Sequence, residues 1–175
     1  MKKILFVLIV FVLSANTALG QKETSRFVYE KRESGLVIIK SKNENNSILS
    51  KGRAIISHDI DFKIPWHEES RVKPFQELID VGTFSKERLQ KLKKEDNTGI
   101  RVYFDETGVV SFVRFIVGAN ENTLLTDEEL YKITQKYIGV KYDMSHARVY
   151  KSETGSKTIF YLSDYFYIPY EDLKY

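Results

Sequence analysis

The chain has 175 residues, 27 of them Lys or Arg and 24 Asp or Glu, for a formal charge of +3, and it contains no cysteine. Zero cysteines exclude a disulfide framework, a thiol nucleophile and a thiolate metal site, so stability must come from a packed core. The two charge signs are mixed along the sequence instead of gathering into a basic stripe, which argues against a nucleic-acid partner.

Residues 1–20 have the three-part layout of a secretory signal peptide: basic Lys2 and Lys3, an apolar run from Ile4 to Leu13, and a small-residue exit with Ala18 and Gly20. The run is half the length of about 20 residues that a membrane span needs. Cleavage before Gln21 would take the formal charge from +3 to +1. With no cysteine to carry a lipid, the expected product is a soluble protein of the periplasm or the extracellular space, without a membrane span. Residues 21–175 read as a single α+β domain, because no internal repeat or Pro-rich linker divides them.

From 21 to 66 the pattern is strand-rich. Phe27-Val28-Tyr29 and Leu36-Val37-Ile38-Ile39 flank a Glu33-Ser34-Gly35 turn signal, which predicts a hairpin. Ser41 to Ser50 reads as a loop. Ala54 to Ile64 alternates as a third strand, with Ile56, His58, Ile60, Phe62 and Ile64 on one face and Ser57, Asp59, Asp61 and Lys63 on the other.

A short helical turn around Phe75 to Ile79 precedes a helix capped by Ser85 and carrying Leu89 and Leu92. The lysines and Arg88 of that helix alternate with Glu87 and lead into Glu95 and Asp96, the pattern of a solvated face. Ile100, Val102 and Phe104 then alternate with Arg101 and Tyr103, and Asp105 to Gly108 forms a turn in which Gly108 takes positive φ as a bulge residue. Val109 to Val117 is the return strand. Thr126 and Glu129 are spaced as a capping box, Leu125 and Leu130 as a hydrophobic staple, and Gly139 as a C-terminal cap. Ala147 to Tyr150 and Thr158 to Leu162 follow as strands joined through a Glu153 to Ser156 turn, before the aromatic run Tyr165-Phe166-Tyr167-Ile168. The expected fold is therefore α+β, a mostly antiparallel sheet with about two main helices. Its second half runs helix, strand, strand, helix, strand after a strand-rich N-terminal part.

The alternating strand Gly99 to Phe104, the acidic turn Asp105-Glu106-Thr107-Gly108, the return strand and the capped helix together resemble the TonB C-terminal domain family. The resemblance covers residues 74–168 and implies two helices packed on one side of a three-stranded antiparallel sheet whose edge can pair with a peptide strand. Energy-transducing TonB proteins also carry a membrane helix and a long Pro-rich spacer, neither of which appears in this sequence, so strand pairing without energy transduction is what the resemblance implies. The chain as a whole also resembles the small exported families of uncharacterised proteins common in Bacteroidetes.

The densest group of potential metal ligands is His58, Asp59, Asp61, His67, Glu68 and Glu69. Strand parity sends His58 away from Asp59 and Asp61, and no H-x-x-x-H spacing is present, so no metal site is assigned. No Gly-x-Ser-x-Gly elbow exists, and Asp143, Ser145 and His146 are too close in sequence to converge as a triad. No catalytic residue or cofactor follows, and an enzyme is not expected. Tyr161, Tyr165 and Tyr167 share one strand parity while Phe160, Leu162 and Phe166 share the other, which makes the three tyrosines the candidate partner-binding residues. The expected function is an exported non-enzymatic binding or protein-interaction domain whose partner is a protein or peptide of the cell envelope. The alternatives are an envelope structural subunit and a hydrolase whose site is dispersed in sequence; oligomeric state is left open.

Overall fold

The computed structural model describes residues 21–50, 60–61, 67–105, 107–119, 121–144, 148–149 and 161–175. The leader at 1–20, His58, Asp59, Ser145, His146 and the Glu153 to Ser156 turn lie outside the described residues. Of the expected strand from Ala54 to Ile64, only Ile60–Asp61 falls within them.

Six strands form one antiparallel sheet: β1 (Gln21–Glu23), β2 (Phe27–Lys31), β3 (Val37–Ser41), β5 (Gly99–Phe104), β6 (Val110–Val117) and β8 (Leu162–Tyr167), in the order β1-β2-β3-β6-β5-β8. A two-stranded pair joins β4 (Ile60–Asp61) to β7 (Arg148–Val149). Among the described residues there are three helices of two turns or more: α1 (Lys73–Asp80), α2 (Lys86–Glu95) and α3 (Asp127–Tyr137).

The three helices share one core with one face of the sheet. Phe75, Leu78 and Ile79 of α1, Leu89 and Leu92 of α2, and Leu130, Ile133 and Tyr137 of α3 meet Ile39, Ile100, Val102, Phe104, Val113, Phe115 and Phe166. Burial of this apolar area is the dominant favourable term, at roughly 1.5–3 kcal/mol for each fully buried large side chain.

Local chemistry sets the helix ends. The Ser85 side chain accepts from the Arg88 N–H at 3.1 Å. At α3 both arms of the capping box form: Thr126 Oγ1 accepts from the Glu129 N–H at 3.2 Å, and Glu129 accepts from the Thr126 N–H at 2.7 Å. Glu129 also receives a two-pronged bond from Arg88, 2.7 Å at each oxygen, which ties α2 to α3. Leu125 and Leu130 are both buried, as a staple requires. Gly139 sits at φ +83° just beyond the helix, where a side chain would be strained.

Four local expectations change. The turn around Phe75 to Ile79 is an eight-residue helix, entered through a π-helical turn, His67–Val72, with Pro74 in its first turn, where no intrahelical N–H is needed. With it, the described residues hold three helices of two turns or more, in keeping with the expected α+β fold. Ser41 to Ser50 is not loop throughout, since Ser47–Ser50 forms one helical turn that brings Leu49 against the sheet. Gly108 has φ +86° as the expected bulge residue, its N–H donating to the Asp105 carbonyl at 3.0 Å while the Asp105 N–H donates to the Val109 carbonyl at 3.4 Å. A second bulge lies further on: Phe104 pairs with Val110 and Tyr103 with Phe112, leaving Ser111 as the extra residue. That insertion lets Val110 face the helices while Phe112, two residues later, faces the opposite side. The final strand is Leu162–Tyr167, one continuous element that takes in the aromatic run.

Asp164 occupies the centre of that strand on the helix-facing side and is 7% exposed. Arg71 grips it through two bonds of 2.9 and 2.7 Å, and the Tyr142 hydroxyl donates to it at 3.2 Å. The Tyr137 hydroxyl donates to the Arg71 carbonyl at 2.7 Å, so the charge pair is fastened at both ends. Asp96, at the end of α2, is a second buried anchor that accepts from Thr98, from the Leu124 N–H and from the Tyr170 hydroxyl. Both carboxylates are surrounded by donors from distant segments, which is how a buried charge is made tolerable.

Candidate functional site

Among the described residues the other face of the sheet carries no helix of two turns or more, only the turn Ser47–Ser50 that sets Leu49 on Tyr103 and Phe112. Antiparallel register places side chains in rows across that face, and one row runs Val28, Lys40, Arg114, Arg101, Tyr165. A second row runs Glu30, Ile38, Ile116, Gly99, Tyr167. Tyr103, Phe112 and Ser163 form a third.

β8 is the edge of the sheet at the tyrosine end, and among the described residues no strand pairs with its outer side. Its burial alternates strictly: Leu162, Asp164 and Phe166 point into the core, while Ser163, Tyr165 and Tyr167 are exposed. The Ile168 N–H donates to the Thr98 carbonyl at 3.2 Å. Because hydrogen-bonding direction alternates along an antiparallel strand, the even-numbered residues turn their backbone groups toward β5. Ser163, Tyr165 and Tyr167 therefore aim both N–H and C=O outward, along the edge away from β5.

The three tyrosines singled out by parity separate into two environments. Tyr165 and Tyr167 are 40% and 65% exposed, with ring centroids 5.7 Å apart in an edge-on arrangement. Tyr161 is half-buried instead, 6.0 Å from Tyr103, which stacks on Phe112 at 4.3 Å, and Leu49 packs on the same cluster. Burial pushes the Tyr165 hydroxyl up to about 12, reinforced by its hydrogen bond to Tyr167 and opposed by nearby Arg101.

Arg101, Arg114, Glu44 and Gly99 also belong to this face. The shared parity of Arg101, Arg114 and Gly99 could be read from the alternation of their strands, whereas Glu44 lies beyond the end of β3, and the adjacency of the group depends on the register of β5 with β6 and β8. Arg114 is held by Glu44 through bonds of 3.1 and 2.6 Å. Burial weakens the Arg114 charge, and the Glu44 carboxylate more than compensates, raising its pKa above the ordinary value. Arg101 lies 5.4 Å from the centroid of the Tyr165 ring.

Of the acidic and histidine cluster read from the sequence, His67, Glu68 and Glu69 begin the π-helical turn and Asp61 ends β4. Among the described residues, no group of three or more His, Asp or Glu side chains could hold a metal ion. No described helix is long and apolar enough to cross a membrane.

The architecture defines an α+β protein with one six-stranded antiparallel sheet, covered by helices on one side and carrying an aromatic and cationic patch beside one edge on the other. The crystal structure of a DUF5043 family protein from Bacteroides uniformis is similar to it, with a TM-score of 0.51 and 14% identity over 85% of this chain and 83% of that one. At that identity the likeness concerns the fold, and its source agrees with the Bacteroidetes character read from the sequence. No protein-family model matches the chain, and no curated protein does. None of these comparisons bears on the TonB C-terminal resemblance.

Proposed function

We propose that this chain is an exported, non-enzymatic interaction domain that takes an extended segment of a cell-envelope protein or peptide as a further strand alongside β8. The observation that carries the reading is the coincidence at Ser163, Tyr165 and Tyr167 of outward-facing backbone groups with exposed side chains. An added strand gains main-chain hydrogen bonds from the edge and selectivity from the side chains beside it. Tyrosine suits the second task, since it offers a large contact area with a polar tip. The signal-peptide layout of residues 1–20 supports a partner in the envelope or beyond it, and the TonB-like order of the second half is in keeping with strand pairing without energy transduction.

The test uses proline. At Ser163 the N–H faces outward, so Ser163→Pro keeps every bond to β5 yet removes a donor needed by an incoming strand. Gentle crosslinking of the native envelope fraction, with wild-type chain and variant as bait, should recover a partner with the first and lose it with the second, at unchanged circular dichroism. Recovery of monomer alone from the wild type, or equal capture by both baits, would count against the reading.

A further inference from the structure

The row Lys40, Arg114, Arg101 sets three cations side by side on β3, β6 and β5. Neighbouring strands are only about 4.8 Å apart, and like charges directly opposite one another repel. The chain neutralises two of the three. Lys40 is paired with Glu30, and Arg114 receives both oxygens of Glu44. Among the described residues Arg101 has no carboxylate partner; its guanidinium lies by the Tyr165 ring, and its Nε is buried without a hydrogen-bond partner among them.

A guanidinium presents a planar fork that matches the two oxygens of a carboxylate, and a buried N–H left unpaired is costly. The position of this fork determines which carboxylate could reach it. Arg101 is one strand in from the edge, and Tyr165, in register with it, is the last residue of the row. The next place in the row belongs to a strand lying outside β8. Its side chain on this face would stand roughly 10 Å from the Arg101 backbone, two strand spacings away. The Arg101 guanidinium lies 5.4 Å from the centroid of the Tyr165 ring, and the lengths of an arginine and a glutamate side chain together span the gap over that ring.

We propose that the strand added to β8 carries a glutamate in register with Tyr165, whose carboxylate seats on the Arg101 guanidinium above the tyrosine ring. This rests on the strand-addition reading and specifies the chemistry of the partner. It completes the row in the way Glu30 and Glu44 complete its other members, with the third acid supplied from outside.

The probes are two synthetic nine-residue peptides, Thr alternating with Glu and Thr alternating with Gln, so that any even register presents the same side chain to Arg101. Titrated against the full chain, the Glu peptide should bind about tenfold tighter than the Gln peptide, with an advantage that shrinks as salt is raised. Arg101→Gln should abolish that preference, and Arg101→Lys, which keeps charge without the fork, should retain only part of it. Lys22→Gln, on the opposite face of the sheet, should leave it intact. Equal binding of the two peptides overturns the glutamate proposal while leaving strand addition standing. Binding of neither overturns both, and a Glu preference that survives in Arg101→Gln places the carboxylate elsewhere and overturns the assignment to Arg101.

Discussion

Tyr165 rests over Gly99 on the neighbouring strand: a β-carbon at Gly99 would stand 2.5 Å from the Tyr165 hydroxyl oxygen and 2.7 Å from its ring. The glycine is in ordinary backbone conformation, so it is the bare surface, and not a special φ, that the ring uses. Removing that surface separates fold from site. In Gly99→Ala the exposed tyrosine tip can swing aside, and alanine restricts the unfolded chain, so stability should stay within about 1 kcal/mol of wild type. The displaced ring loses its bed and its hydroxyl should titrate closer to the ordinary tyrosine value near 10 than to its present value of about 12. Difference spectrophotometric titration against Tyr165→Phe isolates this one hydroxyl among the tyrosines. An unchanged titration in Gly99→Ala would show that the ring does not depend on the glycine.

The Arg71 and Asp164 pair should behave as a coupled unit. Removing one partner leaves a charge among apolar groups, so Asp164→Asn and Arg71→Met should each cost about 2–3 kcal/mol, short of the figure for fully buried pairs because Arg71 is partly exposed. The double variant should cost less than the two single losses together, by at least about 1 kcal/mol, since neither charge is then stranded. Urea denaturation of the four proteins in a double-mutant cycle checks this. Simple additivity would mean that the two bonds at 2.9 and 2.7 Å contribute little to folding.

This pair also explains where the sequence was hard to read. The capping box at Thr126 and Glu129, the Ser85 cap, the Gly139 stop and the two hairpins are local devices, and each is recoverable from a few adjacent residues. β8 is different. Its helix-facing positions are Leu162, Asp164 and Phe166, and a carboxylate in the middle breaks the apolar alternation that marks a strand. The arginine that makes Asp164 tolerable lies 93 residues away. Ser111 hides another step, because a bulge reverses parity without leaving a compositional mark. The tyrosine parity at 161, 165 and 167 could be read directly, but the half-burial of Tyr161 against Tyr103 and Phe112 depends on partners that only the assembled sheet supplies. Arg101 beside Tyr165 is likewise a product of register.

Alkaline pH should loosen the fold through its buried phenols. Burial raises the Tyr142 hydroxyl far above its ordinary value of 10.0, with the charge of Asp164 adding to the effect. Tyr170 is raised in the same way beside Asp96, and Tyr137 beside Asp164. The folded values lie above the unfolded value, so the neutral phenol is the form the fold favours. Its contribution is complete below about pH 10 and declines as pH rises toward the folded values, because the unfolded chain releases these protons first. The urea midpoint should therefore be level from pH 8 to about 9.5 and fall steeply above about 10. Tyr142→Phe removes one of the three groups together with its 3.2 Å bond to Asp164. At neutral pH the variant should be about 1 kcal/mol less stable, and its midpoint should fall less steeply with alkali than that of wild type. Equal slopes for the two proteins above pH 10 would show that Tyr142 ionisation does not contribute to alkaline unfolding.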